Sequence, residues 1–169
     1  MLVASPLKEH WDLALQYLAT FGNAFDFHAL AYGYWNSGDI EQAISLSKIA
    51  VEKAKAEKDE AILIRSMSNL SYYYAVRGKK KDSKVAKSLA EESLKMVNHG
   101  EDDHKAMYEP MLHTTGFVLA TYGGKGEIER ALSLLEQAKS PTVSEELRQQ
   151  HIALANQKKT AGAPKASRS

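Results

Sequence analysis

Apolar residues recur every three or four positions from about residue 7 to residue 157, and no stretch alternates apolar and polar as a strand does. The pattern predicts an all-helical protein. Leu7, Trp11, Ala14, Leu15 and Leu18 share one helix face, and Phe21-Gly22-Asn23 supplies a stop. A second helix is expected from Ala24 to about Asn36 and a third from Ile40 to about Lys58. In the turn between them, Gly38 can take a positive φ and the Asp39 carboxylate can cap the next helix. Pro110 fits the first turn of a helix, where its missing N–H costs nothing, or else kinks a longer one. After Ser140-Pro141, two acids at Glu145 and Glu146 mark another helix start, continued by Leu147, Ile152 and Leu154.

The chain is also similar to itself. Gly38-Asp-Ile-Glu-Gln-Ala-Ile-Ser-Leu46 returns 88 residues later as Gly126-Glu-Ile-Glu-Arg-Ala-Leu-Ser-Leu134. A looser copy ends at Gly78, and Tyr34, Tyr74 and Tyr122 each stand four residues before their glycine. Small residues recur as well: Ala31 and Ser71 before the glycines, Ala43, Ala86 and Ala131 after them, then Ala50, Ser93 and Ala138. Two helices pack antiparallel only where small side chains let their backbones approach, so the shared spelling is first a packing requirement. The third copy departs from the others, with Leu119 at the small position and Thr115 where Phe27 and Met67 stand.

These small residues, tyrosines and glycines resemble a tetratricopeptide repeat array over about residues 24 to 140. With glycines 40 and 48 residues apart, the spacing is similar to the long-helix arrays of the kinesin light chain kind. The resemblance implies a right-handed superhelical array of antiparallel helix pairs. Its parts would be a flanking helix over 1–23, pairs over about 24–60, 61–98 and 103–140, and a capping helix over 141–157. The basic, core-free stretch 158–169 is expected to be disordered. The first helix of each pair would line a concave surface carrying Phe25, His28, Tyr32, Trp35, Arg65, Asn69, Tyr72, His113, Gly116 and Phe117. Exposed aromatics around a central Arg and Asn suit an anchoring groove for a peptide or helix of a partner protein. The alternative is that Phe25, Tyr32 and Trp35 bury themselves against the opening helix. Tetratricopeptide domains that clamp a terminal carboxylate use Lys, Asn and Arg at set positions. Only Asn69 matches, which argues against that use.

Composition narrows the chemistry. With no cysteine among 169 residues, disulfides, thiolate metal sites and a cysteine nucleophile are excluded. No run of about 18 apolar residues occurs, so no membrane span and a cytoplasmic location are expected. The net charge of +1 is distributed in blocks, −4 over residues 1–60, +5 over 61–100, −4 over 101–157 and +4 beyond. Blocks of opposite sign suggest a second reading, a scaffold that self-associates through charge, with Arg77, Lys79, Lys80, Lys81, Lys84 and Lys87 as its basic patch. That stretch has no interleaved aromatics, so nucleic acid is not the expected partner.

No enzyme, cofactor or metal is expected. His99 to His104 (HGEDDH) gathers two histidines and three carboxylates, but a solvated acidic loop explains it better than a metal site. Gly123 to Gly126 (GGKG) follows a helix and lacks the Lys-Ser/Thr ending of a phosphate loop.

Overall fold

The structure, a computed structural model, describes residues 6–97, 102–139 and 141–161, with the side chains of 6–12, 19 and 102–105 outside the description. Among the described residues there are eight α-helices and no strand: α1 (Pro6–Phe21), α2 (Ala24–Asn36), α3 (Ile40–Glu57), α4 (Glu60–Arg77), α5 (Ser83–Met96), α6 (Asp102–Tyr122), α7 (Lys125–Gln137) and α8 (Glu145–Ala161). A short 3₁₀ turn, Lys80–Asp82, leads into α5.

Short polar residues begin α2, α3 and α4 by accepting orphan backbone N–H groups. Asn23 forms a capping box with Asp26. Asp39 accepts from the Gln42 N–H at 3.1 Å, and Asp59 from that of Ile62 at 3.0 Å. Gly38 and Gly78 turn the chain with φ of 86° and 70°, a region that costs a residue with a Cβ about 1 kcal/mol or more.

Each helix from α2 onward packs on the next, and α2, α4, α6 and α8 also touch in series, α2 on α4, α4 on α6 and α6 on α8. The second helices α3, α5 and α7 have no comparable contact with one another. This is the packing of a helical array, with the first helix of each pair on one shared side. The small residues of the repeat sit where the helices cross: Ala31, Ala43, Ala50, Ser71, Ala86, Ser93, Ala131 and Ala138 are all buried. Thr115 is buried too, and its hydroxyl donates to the Ala90 carbonyl of α5 at 3.2 Å, so a hydrogen bond replaces the bulk of Phe27 and Met67. Tyr122 donates to the carbonyl of Tyr74 at 2.6 Å, tying the third pair to the second through their repeated tyrosines.

Three local expectations change. Gly126 is not a turn residue; it lies in the first turn of α7, and the chain reverses at Gly123-Gly124 instead. There a Cβ on Gly123 would meet the Leu119 carbonyl oxygen at 2.4 Å, so only glycine fits. Pro110 is inside α6, not in its first turn, because the helix already starts at Asp102. At the other end α8 continues to Ala161, four residues into the stretch expected to be disordered, while 162–169 lie outside the described residues. Lys158 explains part of that extension, since its ammonium reaches the Thr121 carbonyl at the end of α6.

Candidate functional site

On the shared side of α2, α4 and α6 lies an open groove of about 460 Å³. His28 and Tyr32 enter it from α2, Arg65 and Asn69 from α4, Ala106, Met107, Pro110 and Met111 from α6, and Thr142 from the α7–α8 connection. Four residues expected from the sequence thus converge on one cavity, and α6 supplies an apolar wall that sequence reasoning did not assign.

The polar members differ in character. Tyr32 is 54% exposed. Arg65 is exposed, and its Nε donates to the Met107 sulfur at 3.3 Å, which holds the guanidinium against the apolar wall. No described carboxylate pairs with it. His28 is half-buried, with Nδ1 at 3.0 Å from the Ser66 hydroxyl. Burial first, and the Arg65 charge second, hold its pKa below the ordinary histidine value, so at neutral pH the ring is uncharged. A serine and a histidine in hydrogen-bond contact invite a nucleophile–base reading. Ser66 has no exposed surface, however, so its hydroxyl is closed to a substrate. Among the described residues the groove therefore offers one cation, a neutral imidazole, an amide and a phenol over methionine and proline.

The remaining residues of the expected surface lie elsewhere. Phe25 is exposed at the start of α2 and does not line the cavity. Trp35 is half-buried, stacked on Tyr73 at 5.0 Å and edge-on to Tyr72 at 5.6 Å, and Tyr72 leans on Phe117 at 5.1 Å. Tyr72 and Trp35 are accordingly cement between α2, α4 and α6 more than contact surface. The Tyr73 hydroxyl is buried with no hydrogen-bond partner. An unmade bond of that kind costs about 1–3 kcal/mol, so Tyr73→Phe is expected to leave the melting temperature unchanged or raise it, as read by circular dichroism.

His113 and Phe117 are not open to a partner at all. The C-terminal helix α8 lies over them: His151 stacks on Phe117 at 3.8 Å, and its Nδ1 is 3.0 Å from Nε2 of His113. Both histidines are buried. Burial, then His151 and Arg148, lowers the pKa of His113 to about 4, and burial lowers His151 to about 4. His151 was missed because it stands 38 residues from His113, with only the register of α8 on α6 to join them. Gly116 likewise faces α7 instead of a partner, as an added Cβ would meet Leu135 Cγ at 2.7 Å.

The basic patch is partly neutralised within the chain. Arg77 pairs with Asp82 at 2.7 Å and Glu41 at 2.5 Å, Lys79 with Glu41 at 2.7 Å, and Lys87 with Glu127 at 3.0 Å. Arg130 of α7 pairs with Glu91 of α5 in the same manner. Lys79, then Arg77, holds the Glu41 carboxyl below its ordinary pKa. The charge blocks of the sequence meet at the junctions between successive pairs. Lys80, Lys81 and Lys84 stay exposed, with no ion pair among the described residues. For the HGEDDH stretch, Asp102 to His104 open α6, while His99 to Glu101 lie outside the described residues. Among the described residues no group of three metal-ligating side chains forms, and no helix is long and apolar enough to cross a membrane.

No family model matches the chain, and no curated protein or solved structure matches it significantly. The resemblance to tetratricopeptide arrays therefore rests on the chain's own residues alone, and the packing shows a helical array.

Proposed function

We propose that this protein is a tetratricopeptide-like adaptor or scaffold module that binds a segment of a partner protein in the groove between α2, α4 and α6. In this reading the helix pairs wind as a right-handed superhelix and the groove is its concave side. The observation that carries it is the convergence of His28, Tyr32, Arg65 and Asn69 on an open cavity with an apolar wall. A cavity of ~300–1,000 Å³ with few polar groups is typical of recognition sites. Here the volume admits one large apolar side chain and the backbone beside it.

The charge of the groove narrows the partner. Among the described residues no carboxylate pairs with Arg65, and His28 is neutral, so an acidic residue next to an apolar anchor fits the lining best. Asn69 and Tyr32 can hydrogen-bond the peptide backbone. The setting is consistent with the absence of the Lys and Arg positions that a terminal-carboxylate clamp uses.

Panning the full chain against a phage-displayed library of random 12-residue peptides tests this. The expected result is enrichment of sequences with an aromatic or aliphatic residue beside Asp or Glu. Arg65→Glu and the double variant Tyr32→Ala/Asn69→Ala should each weaken the enriched peptide by at least tenfold, since losing a central anchor costs about 1–2 kcal/mol or more. Both variants alter partly exposed side chains, so the circular dichroism should not change. Enriched peptides that bind the variants as well as the wild type would remove the groove from consideration.

A further inference from the structure

Among the described residues helix α1 packs chiefly on α2, and part of its surface is turned away from the protein. Leu13, Tyr17 and Phe21 stand at i, i+4 and i+8 on that face and are 67%, 65% and 71% exposed. The Tyr17 and Phe21 rings touch, with centroids 5.2 Å apart, so the three form one apolar stripe. The opposite face, with Ala14, Leu15 and Leu18, is the one packed against the core. A helix at the end of an array normally turns a polar side outward. α8 does so at the other end, where Gln149, Gln150, Asn156 and Gln157 are exposed. α1 does not.

We propose that the Leu13–Tyr17–Phe21 face of α1 is the seam of a two-fold dimer between copies of this chain. Three features select a second copy. From Leu13 to Phe25 there is no charged residue, so two such faces meet without repulsion, and interface cores are depleted of charge in the same way. The stripe is self-complementary when two helices cross antiparallel: Tyr17 meets its symmetry mate and Leu13 meets Phe21 of the other copy. Among the described residues α8 exposes no large apolar side chain for a head-to-tail contact, so the seam on α1 pairs with its own copy and closes at two. A lipid surface fits less well. Asp12 and Asp26 bracket the uncharged stretch, whereas helices that lie on anionic membranes carry Lys and Arg beside their apolar face.

The stripe covers roughly 400 Å² per protomer, taking ~150–250 Å² for an aromatic side chain, which is half the ~800 Å² per partner of a standard interface. The dimer is therefore weak and depends on concentration across the micromolar range. It is distinct from association through charge blocks, because its seam carries no charge.

Sedimentation equilibrium of the full chain at low and high salt, with Tyr17→Glu beside wild type, tests the seam. Wild type should approach twice the monomer mass as concentration rises, at both salt concentrations. Tyr17→Glu, which sets two carboxylates against each other at the two-fold, should remain monomeric with unchanged circular dichroism. Because the chain has no cysteine, Tyr17→Cys adds a single thiol, which should form an intermolecular disulfide under mild oxidation faster than Lys80→Cys does. A wild type that is monomeric throughout the micromolar range overturns the proposal. So does a dimer that Tyr17→Glu leaves intact or that high salt dissolves, and so does a monomer that instead floats with phosphatidylserine vesicles through these residues.

Discussion

Lowering the pH from neutral to about 4.5 should reduce the melting temperature by on the order of 10 °C and should release α8 first. The cause is the pair His113 and His151, buried face to face between α6 and α8. The folded state keeps both rings neutral, with pKa values of about 4 against 6.5 for a free histidine. Between these values the unfolded chain binds more protons than the folded one, so stability falls as pH falls. Above about pH 6.5 there is no such dependence, and below about pH 4 the loss is complete. At about 1.4 kcal/mol per unit, a histidine held 2 to 3 units low contributes ~3 kcal/mol. The two are coupled through one hydrogen bond, so the loss belongs to the pair and not to either ring alone. His28, also held low by burial, adds in the same direction. Arg148 on α8 opposes any proton taken up by His113. The double variant His113→Phe/His151→Phe keeps the aromatic stack on Phe117 and should flatten the stability profile between about pH 4.5 and 6.5, as read by thermal melts. A profile unchanged by the substitutions would show that other groups govern acid stability.

The second large effect is expected at glycine. Gly116→Val should lower stability by about 3 kcal/mol, because overpacking a close helix crossing forces backbone movement. The added Cβ would meet Leu135 Cγ at 2.7 Å and the Ala131 carbonyl oxygen at 3.1 Å, neither of which can move without parting α6 from α7. Gly126→Ala should do the opposite. Nothing lies within 4 Å of a Cβ there, and the residue is in the first turn of α7. An exposed helical glycine replaced by alanine gains roughly 0.5–1 kcal/mol. Chemical denaturation of the two variants beside wild type checks both signs. If Gly126 were the turn glycine that its sequence match to Gly38 suggests, its replacement would be costly instead.

That contrast marks where the sequence could be read and where it could not. The helices, the Asp39 cap and the small residues at the crossings follow from local rules of period, capping and size, so they are visible in one dimension. The third turn is displaced because α7 begins at Lys125, three residues before Ile128, the counterpart of the Ile40 that starts α3, and the demand for a residue without a Cβ falls on Gly123, against the Leu119 carbonyl. The groove was half legible. His28, Tyr32, Arg65 and Asn69 follow from repeat position, whereas the wall of Met107, Pro110 and Met111 depends on how α6 leans across α4. The covering of Phe117 by His151 depends on the docking of a terminal helix, and no short-range pattern encodes that.

The central claim is that the groove receives a partner segment, and titration of the isotope-labelled protein with the peptide enriched by panning tests it most directly. Amide shifts are expected at His28, Tyr32, Arg65, Asn69, Met107, Met111 and Thr142, with the exposed lysines Lys80, Lys81 and Lys84 unaffected. Shifts centred on those lysines, or on Leu13, Tyr17 and Phe21, with the groove silent, would contradict it.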